Sequence, residues 1–283
     1  MRFVSWILIA GLGALALVSS GPVGATSGPT RIVYRSVRLA SPQRPPELYT
    51  VLPNGAARRL LARGADQPAW SPGRTRIAFA GADPGNTGIW VMRADGTGRR
   101  RLTRVAGDGE PTWSPDGRRI AFRRNQGASF DLWVVPSAGG HASRLFGGRV
   151  TSELTPDWSP DGRWIAFQGN RGDTIQIWIF NVRTRGVRRL TRGAASFEPD
   201  WSPDGKRIAY STGGRIAVIG ANGRGRRVFP TGTPRSAYNP AWSPGGRRIA
   251  FERGGQVLSM LATGRGLRYV TRRIWGTNGD PDW

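Results

Sequence analysis

A serine and an aspartate recur two residues apart in this sequence, inside the motif Trp-Ser-Pro-Asp-Gly. Basic residues follow the motif, so the group has the residue types that nucleophilic or acid–base chemistry would need. Two further copies carry Gly73 and Gly245 in place of the aspartate. Glycine substitutes easily for a turn residue but never for a carboxylate base. We therefore interpret the motif as a structural turn.

Other catalytic groups are scarce. The sequence has one histidine, His141, and no cysteine, which excludes thiol nucleophiles, thiolate metal sites and disulfides. It contains no Gly-x-Ser-x-Gly elbow of the hydrolase type. We predict no catalytic residue, no cofactor and no metal ligand. One enzymatic alternative stays open, because a glycosidase needs only a pair of carboxylates and neighbouring repeats could supply one.

The elements that would carry these residues repeat along the chain. The ten-residue stretch Trp-Ser-Pro-Asp-Gly-Arg-Arg-Ile-Ala-Phe and its variants begin at Trp70, Trp113, Trp158, Trp201 and Trp242, and a further copy stops at Trp283. Each period of 41 to 45 residues holds four short strand-like runs, which we call a, b, c and d. The Ser-Pro-Asp-Gly segment suits a type I turn between a and b. Four-strand units of this length are typical of propeller blades, and the six tryptophans should wedge between adjacent blades.

The phase of the repeat predicts how the ring closes. The first unit begins with a b-like run, Arg31 to Tyr34, and lacks strand a. The last run, Asp280 to Trp283, is an a strand without b, c and d. We predict an all-β, six-bladed propeller of four-stranded antiparallel blades, closed by pairing of the C-terminal strand with the N-terminal strands.

The repeated Trp-Ser-Pro-Asp-Gly, Arg-Ile-Ala-Phe, Ile-Trp-Val and Arg-Arg-Leu-Thr motifs resemble the TolB-type propeller repeat, a relative of WD repeats, across residues 31–283. The resemblance implies a binding or scaffold module of the cell envelope. TolB itself carries an α/β domain before its propeller, and we expect none here. Residues 26–283 are predicted to form a single domain.

Residues 1–25 read as a secretory signal peptide: Arg2, an apolar stretch from Trp6 to Val18, and a small-residue cleavage site ending at Ala25. We expect an exported protein, periplasmic or extracellular. An uncleaved segment acting as an anchor is the alternative.

The charge is strongly basic, with 42 Lys and Arg against 18 Asp and Glu, a formal net charge of +24. An excess of this size indicates an anionic partner, such as an envelope polymer or a membrane surface; export argues against nucleic acid. In a propeller the a–b and c–d turns share one face, here called the turn face, and the b–c and d–a loops share the other, the mouth face. The carboxylates collect in the d–a loops and strand a, so we predict an acidic channel mouth at Asp66, Glu110, Glu153, Glu198 and Asp280. The predicted basic turn face consists of Arg99, Arg100, Arg101, Arg118, Arg119, Arg188, Arg189, Arg226, Arg227, Arg247 and Arg248.

These features predict a monomeric, non-enzymatic module that binds a protein or peptide at the channel mouth. Two alternatives remain: a hydrolase or lyase with a carboxylate-lined channel, and a binder of anionic envelope polymer through the basic face.

Overall fold

The computed structural model describes residues 30–37, 45–148, 152–172, 174–231, 236–271 and 277–283. The predicted signal segment lies outside the described residues. None of the residues described forms a helix long and apolar enough to cross a bilayer.

In the described residues, twenty-four strands form six separate four-stranded antiparallel sheets. In chain order the strands are β1 (Ile32–Val37), β2 (Glu47–Val51), β3 (Arg59–Arg63), β4 (Ala65–Trp70), β5 (Arg76–Gly81), β6 (Gly88–Arg93), β7 (Arg100–Arg101), β8 (Gly109–Trp113), β9 (Arg119–Asn125), β10 (Phe130–Pro136), β11 (Ser143–Phe146), β12 (Glu153–Trp158), β13 (Trp164–Gly169), β14 (Gln176–Asn181), β15 (Val187–Arg189), β16 (Ser196–Trp201), β17 (Arg207–Thr212), β18 (Arg215–Gly220), β19 (Arg227–Val228), β20 (Ala237–Trp242), β21 (Arg248–Arg253), β22 (Gln256–Leu261), β23 (Arg268–Tyr269) and β24 (Thr277–Asp282).

The sheets are the six blades of a propeller, and the predicted closure is confirmed. Blade 1 has the strand order β24-β1-β2-β3, so the last strand of the chain is the innermost strand of the first blade. Blades 2 to 6 take four consecutive strands each, from β4–β7 to β20–β23. Strand β24 pairs antiparallel with β1, with Asp282 opposite Val33. It begins three residues earlier than the sequence predicted.

The turns between strands a and b are built as predicted. In blade 3 the Gly117 N–H donates to the Ser114 carbonyl at 2.8 Å, which closes the four-residue turn. Asp116 Oδ1 accepts hydrogen bonds from Ser114 Oγ at 2.5 Å and from the Arg118 N–H at 3.0 Å. The aspartate of the repeated motif therefore stabilises its own turn.

The core lies between blades. Each of six buried clusters joins residues of two neighbouring blades, as where Trp113 of blade 3 packs on Ile89 and Val91 of blade 2. The same holds across the closing joint, where Trp283 packs on Val257 and Val270 of blade 6. The strand a tryptophans are inter-blade wedges, as predicted; all are buried except the half-buried Trp70.

Candidate binding channel

Every innermost strand is interrupted by a bulge at the same place. Two residues of strand a oppose one of strand b, as where Glu110 and Pro111 of β8 lie opposite Phe122, and this register shift recurs in all six blades. Each bulge holds an X-Pro pair two residues before the tryptophan, which suits proline because it has no N–H to give to the ladder. The residue before each proline has a positive φ of 45° to 55°; these six form what we call the bulge ring: Gln67, Glu110, Thr155, Glu198, Asn239 and Asp280.

Side chains of the preceding blade hold the bulges. The freed N–H of Glu110 donates to Gln67 Oε1 at 3.0 Å, and the N–H of Thr155 donates to Glu110 Oε2 at 2.6 Å. The N–H of Asn239 likewise donates to Glu198 Oε2 at 2.8 Å. These bonds satisfy backbone donors that the bulge removes from the sheet.

A second ring lies one step deeper in the channel, at the residue before each tryptophan. This floor ring consists of Ala69, Thr112, Asp157, Asp200, Ala241 and Asp282. Its aspartates accept hydrogen bonds from the backbone N–H of the next blade's tryptophan: Asp157 from Trp201 at 2.7 Å, Asp200 from Trp242 at 2.6 Å and Asp282 from Trp70 at 2.5 Å.

The two rings line an axial cavity of about 550 Å³. Strand a of every blade contributes to its wall, and strand b adds Arg35 and Gln168. Pockets of this size commonly hold ligands or short segments of a partner.

Two arginines compensate the charge on one side of the channel. Arg35 Nε lies 3.1 Å from Asp280 Oδ2 and 3.5 Å from Asp66 Oδ1, and Arg123 Nε lies 3.2 Å from Glu110 Oε2. Glycines stand opposite both arginines in the register, Gly279 facing Arg35 and Gly109 facing Arg123. A Cβ at Gly279 would clash with Glu252 Oε2 and one at Gly109 would lie 2.8 Å from Gln67 Oε1, with the guanidinium nitrogens 3.3 Å away. The glycines therefore make room first for these oxygens and then for the arginines.

The other side of the channel has no such compensation. No arginine or lysine of the described chain lies within 4 Å of the carboxylates of Asp157, Glu198 or Asp200. These three residues belong to blades 4 and 5. The carboxylates of the channel are therefore paired with arginines on one side only.

The carboxylates respond to this environment. Burial raises the pKa of Asp157 to about 7, helped by the charge of Asp282 and opposed by the hydrogen bonds from Trp201 and Thr112. Burial and the charge of Asp157 raise the pKa of Asp200 well above its usual value. Burial also raises the pKa of Asp280 to about 7, although Arg35 opposes the shift. Loss of hydration disfavours the charged form in each case.

The predicted acidic mouth is brought together only in part. Glu110, Glu198 and Asp280 line the cavity, and Asp66 sits beside Arg35 at its edge. The prediction was wrong for Glu153, which is fully buried away from the cavity and pairs with Arg171 at 3.2 Å. The bulge explains the error, because it changes which strand a residues face the axis and sets Glu153 outside the channel. Among the residues described, no group of three or more metal-ligating side chains is placed to hold an ion.

The predicted basic turn face keeps its charge. No carboxylate lies within 4 Å of the guanidinium group of any of its eleven arginines in the described part of the chain, and all but Arg101 and Arg248 are exposed. Several bind backbone carbonyls of the next blade instead. Arg100 donates to the Ser137 and Ala138 carbonyls at 2.8 and 2.6 Å, and Arg188 donates to the Ala221 carbonyl at 3.0 Å.

Arg101 departs from this pattern. Its guanidinium donates to the carbonyls of Gly85 at 2.9 Å and of Thr87, both in a b–c loop, and its Nε donates to the Thr103 carbonyl. Those loops belong to the mouth face. Alternation along strand d turns Arg101 away from its neighbour Arg100, so its assignment to the turn face was wrong.

This architecture matches a known family. The family model described as the TolB beta propeller domain matches residues 61–245 and 148–283, which together cover most of the chain. The chain belongs to the TolB β-propeller domain family. No curated protein sequence matches it.

Solved structures agree on the TolB-like fold. TolB from Acinetobacter baumannii superposes with a TM-score of 0.77 at 23% identity, over 89% of this chain and 66% of that chain. This chain thus spans about two thirds of that protein's length. A TolB candidate from Agrobacterium tumefaciens superposes with a TM-score of 0.68 at 18% identity, over 89% of this chain and 92% of that chain. Hydrazine synthase of Kuenenia stuttgartiensis superposes with a TM-score of 0.74 at 14% identity, over 94% of this chain and 50% of that chain. At these identities the likeness concerns the fold alone.

Sequence reasoning missed the inward strand b residues. Aligning the blades on Ile-Ala-Phe places Arg35, Ala80, Arg123, Gln168, Ser211 and Glu252 at one equivalent position, after the aromatic residue. The sequence carries a signal for them, because the residue type at this position varies between blades while the three residues before it repeat.

Proposed function

We propose that the chain is an exported, non-enzymatic propeller that binds a protein or peptide partner in the cell envelope, with a segment of the partner entering the axial channel. The observation that carries the proposal is the open cavity of about 550 Å³ lined by all six blades. Membership of the TolB β-propeller family and the signal-like residues 1–25 support the location. In this proposal the propeller acts as a monomer.

Site-specific photo-crosslinking tests where the partner binds. A benzoylphenylalanine at Phe197, which lines the cavity, should crosslink an envelope protein of the native host. The same group at the exposed Arg118 of the turn face is the matched control. Crosslinks from position 118 and none from position 197 would exclude the channel as the binding site.

A hydrolase or lyase is the second candidate, and one observation favours it. Asp157 and Asp200 are neighbouring channel carboxylates whose pKa values are both raised, a common feature of acid–base sites. Both, however, already accept a backbone hydrogen bond from the next blade. Turnover of chromogenic glycosides that disappears in both Asp157→Asn and Asp200→Asn would establish the enzyme and overturn the non-enzymatic proposal.

The third candidate is binding of anionic envelope polymer through the turn face. It rests on Arg100 and Arg188, which donate to neutral backbone carbonyls, so no carboxylate neutralises their positive charge. Arginine also suits phosphate and carboxylate groups because its planar fork binds both oxygens.

A further inference from the structure

The wall formed by blades 4 and 5 differs from the rest of the channel in charge. On the other side of the channel, the carboxylates are paired with arginines. Arg35 pairs with Asp66 and Asp280, and Arg123 pairs with Glu110. Asp157 and Asp200 have only neutral hydrogen-bond donors, from Thr112, Trp201 and Trp242. A ligand with positive charge would therefore find its complement on this wall.

A free hydrogen-bond donor lies on the same wall. Gln168, on β13, is 9% exposed and lines the cavity. Its Oε1 accepts a hydrogen bond from the Glu198 N–H at 3.0 Å, taking the place that the short side chain of Thr155 cannot reach. That bond fixes the amide, and its Nε2 has no partner among the described residues. This donor is accessible from the cavity, where a ligand carbonyl can replace water as its acceptor.

Two further features of the wall fit a peptide. Asp200 accepts its one hydrogen bond through Oδ2, which leaves Oδ1 without a partner among the residues described. Phe197, half-buried beside Glu198, supplies an apolar surface in the cavity. Negative charge, a carbonyl-binding donor and an aromatic surface thus lie together on blades 4 and 5.

We propose that this wall binds an extended peptide carrying a lysine or arginine, whose cationic group binds at Asp157 and Asp200 while the Gln168 amide donates to a backbone carbonyl of the peptide. The inference rests on the proposed function and names the chemistry of its ligand. Asp200 Oδ1 has no partner among the described residues, and Asp157 Oδ1 accepts the longer bond from Thr112 at 3.2 Å, so both carboxylates have lone pairs left for an ammonium or guanidinium group.

Binding would also displace protons. The groups facing Asp157 are the Thr112 hydroxyl, the Trp201 N–H and the carboxylates of Asp200 and Asp282. None carries positive charge, so an incoming cation lowers the pKa of Asp157 from about 7. We therefore expect proton release on binding near pH 6.5.

The test uses the purified protein and three pools of capped, fluorescent hexapeptides. Each pool has one fixed position, holding lysine, norleucine or glutamate, and a mixture of Ala, Ser, Val and Phe elsewhere. Fluorescence anisotropy should show the lysine pool binding about tenfold or more tightly than the norleucine pool, and the glutamate pool binding least. Calorimetry of the lysine pool in buffers of different ionisation heat should show proton release.

Three variants locate the effect. Asp157→Asn and Asp200→Asn keep an oxygen acceptor for the tryptophan N–H but remove the charge, and each should reduce the lysine preference to within about threefold. Gln168→Glu keeps the acceptor for Glu198 but removes the donors, so the norleucine pool should bind about fivefold more weakly. Asp204→Asn, at an exposed turn of blade 5 on the opposite face, is the matched control and should change nothing.

The outcomes separate the two proposals. Absence of binding by any pool at millimolar peptide would count against peptide binding in the channel, and so against the proposed function. Binding without a preference for lysine, or a preference that survives both aspartate variants, would overturn this inference alone. Should an aspartate variant fold poorly, the proton release of the wild-type protein still decides: its absence contradicts a cation at these carboxylates.

Discussion

Replacement of Asp157 by asparagine should remove part of the pH dependence of this protein's stability. The folded-state pKa of Asp157, about 7, lies above its ordinary value of 3.8. The folded protein therefore holds a proton that the unfolded chain releases between these values. The stabilisation is complete below about pH 4 and is lost as the pH rises to 7.

The size of the effect follows from the two pKa values. At about 1.4 kcal/mol per pH unit, the difference would amount to about 4 kcal/mol if fully expressed. Asp157 is only half-buried and faces the channel, so water there screens its charge. We expect the residue to account for about 1 to 2 kcal/mol of stability lost between pH 5 and pH 8.

Urea unfolding followed by tryptophan fluorescence at pH 5 and pH 8 measures this loss. The wild-type protein should lose more stability than Asp157→Asn over this range. The variant should still lose some, because Asp200, Asp280 and Asp282 also have raised pKa values and remain in it. Asp161→Asn, in the same blade at an exposed turn, should behave as wild type. Equal pH dependence in the wild-type protein and Asp157→Asn would refute the argument that burial holds a proton on this carboxyl.

Three other perturbations probe the ring and its faces. Trp283→Ala should cost about 3 to 5 kcal/mol and lower the melting temperature by about 10 °C, because this buried wedge joins blades 6 and 1; calorimetry showing an unchanged melt would contradict a closed ring. Arg35→Met should destabilise the protein more at pH 8 than at pH 5 in the same urea assay, since Asp280 is mostly protonated at the lower pH; an equal loss at both values would argue against the ion pair. The double variant Arg100→Ala with Arg188→Ala should elute from heparin at lower salt than Arg101→Ala, because only the first two lie on the turn face; identical elution would exclude that face as the anion site.

The repeat made the fold predictable. Six tryptophans at steps of 41 to 45 residues and the misphased ends were enough to derive the blades and the pairing of β24 with β1. The blades and the pairing of β24 with β1 were both predictable because they follow from local sequence, namely from the turns, the short strands and the order in which these occur.

The channel was harder to predict, because its contacts run between blades. Gln168 holds the Glu198 N–H in place of Thr155, whose side chain is too short to reach it, and no local pattern expresses that relation. Glu153 was misplaced because the bulge at the X-Pro pair alters the alternation of strand a. A comparison of equivalent positions across blades would have indicated the bulge, since all six carry proline there.

The bulge ring has a mechanical consequence. Each bulge takes a backbone N–H out of its own sheet, and at Glu110, Thr155, Glu198 and Asn239 that N–H is held by the blade before it. The bonds run around the axis from blade 2 to blade 6, and Asn239 Nδ2 continues them to Asp280 Oδ1 of blade 1 at 2.6 Å, so together they act as a hoop around most of the channel. A pull along the axis on a segment bound at one wall would become tension spread around this hoop, instead of stripping a single strand from its sheet.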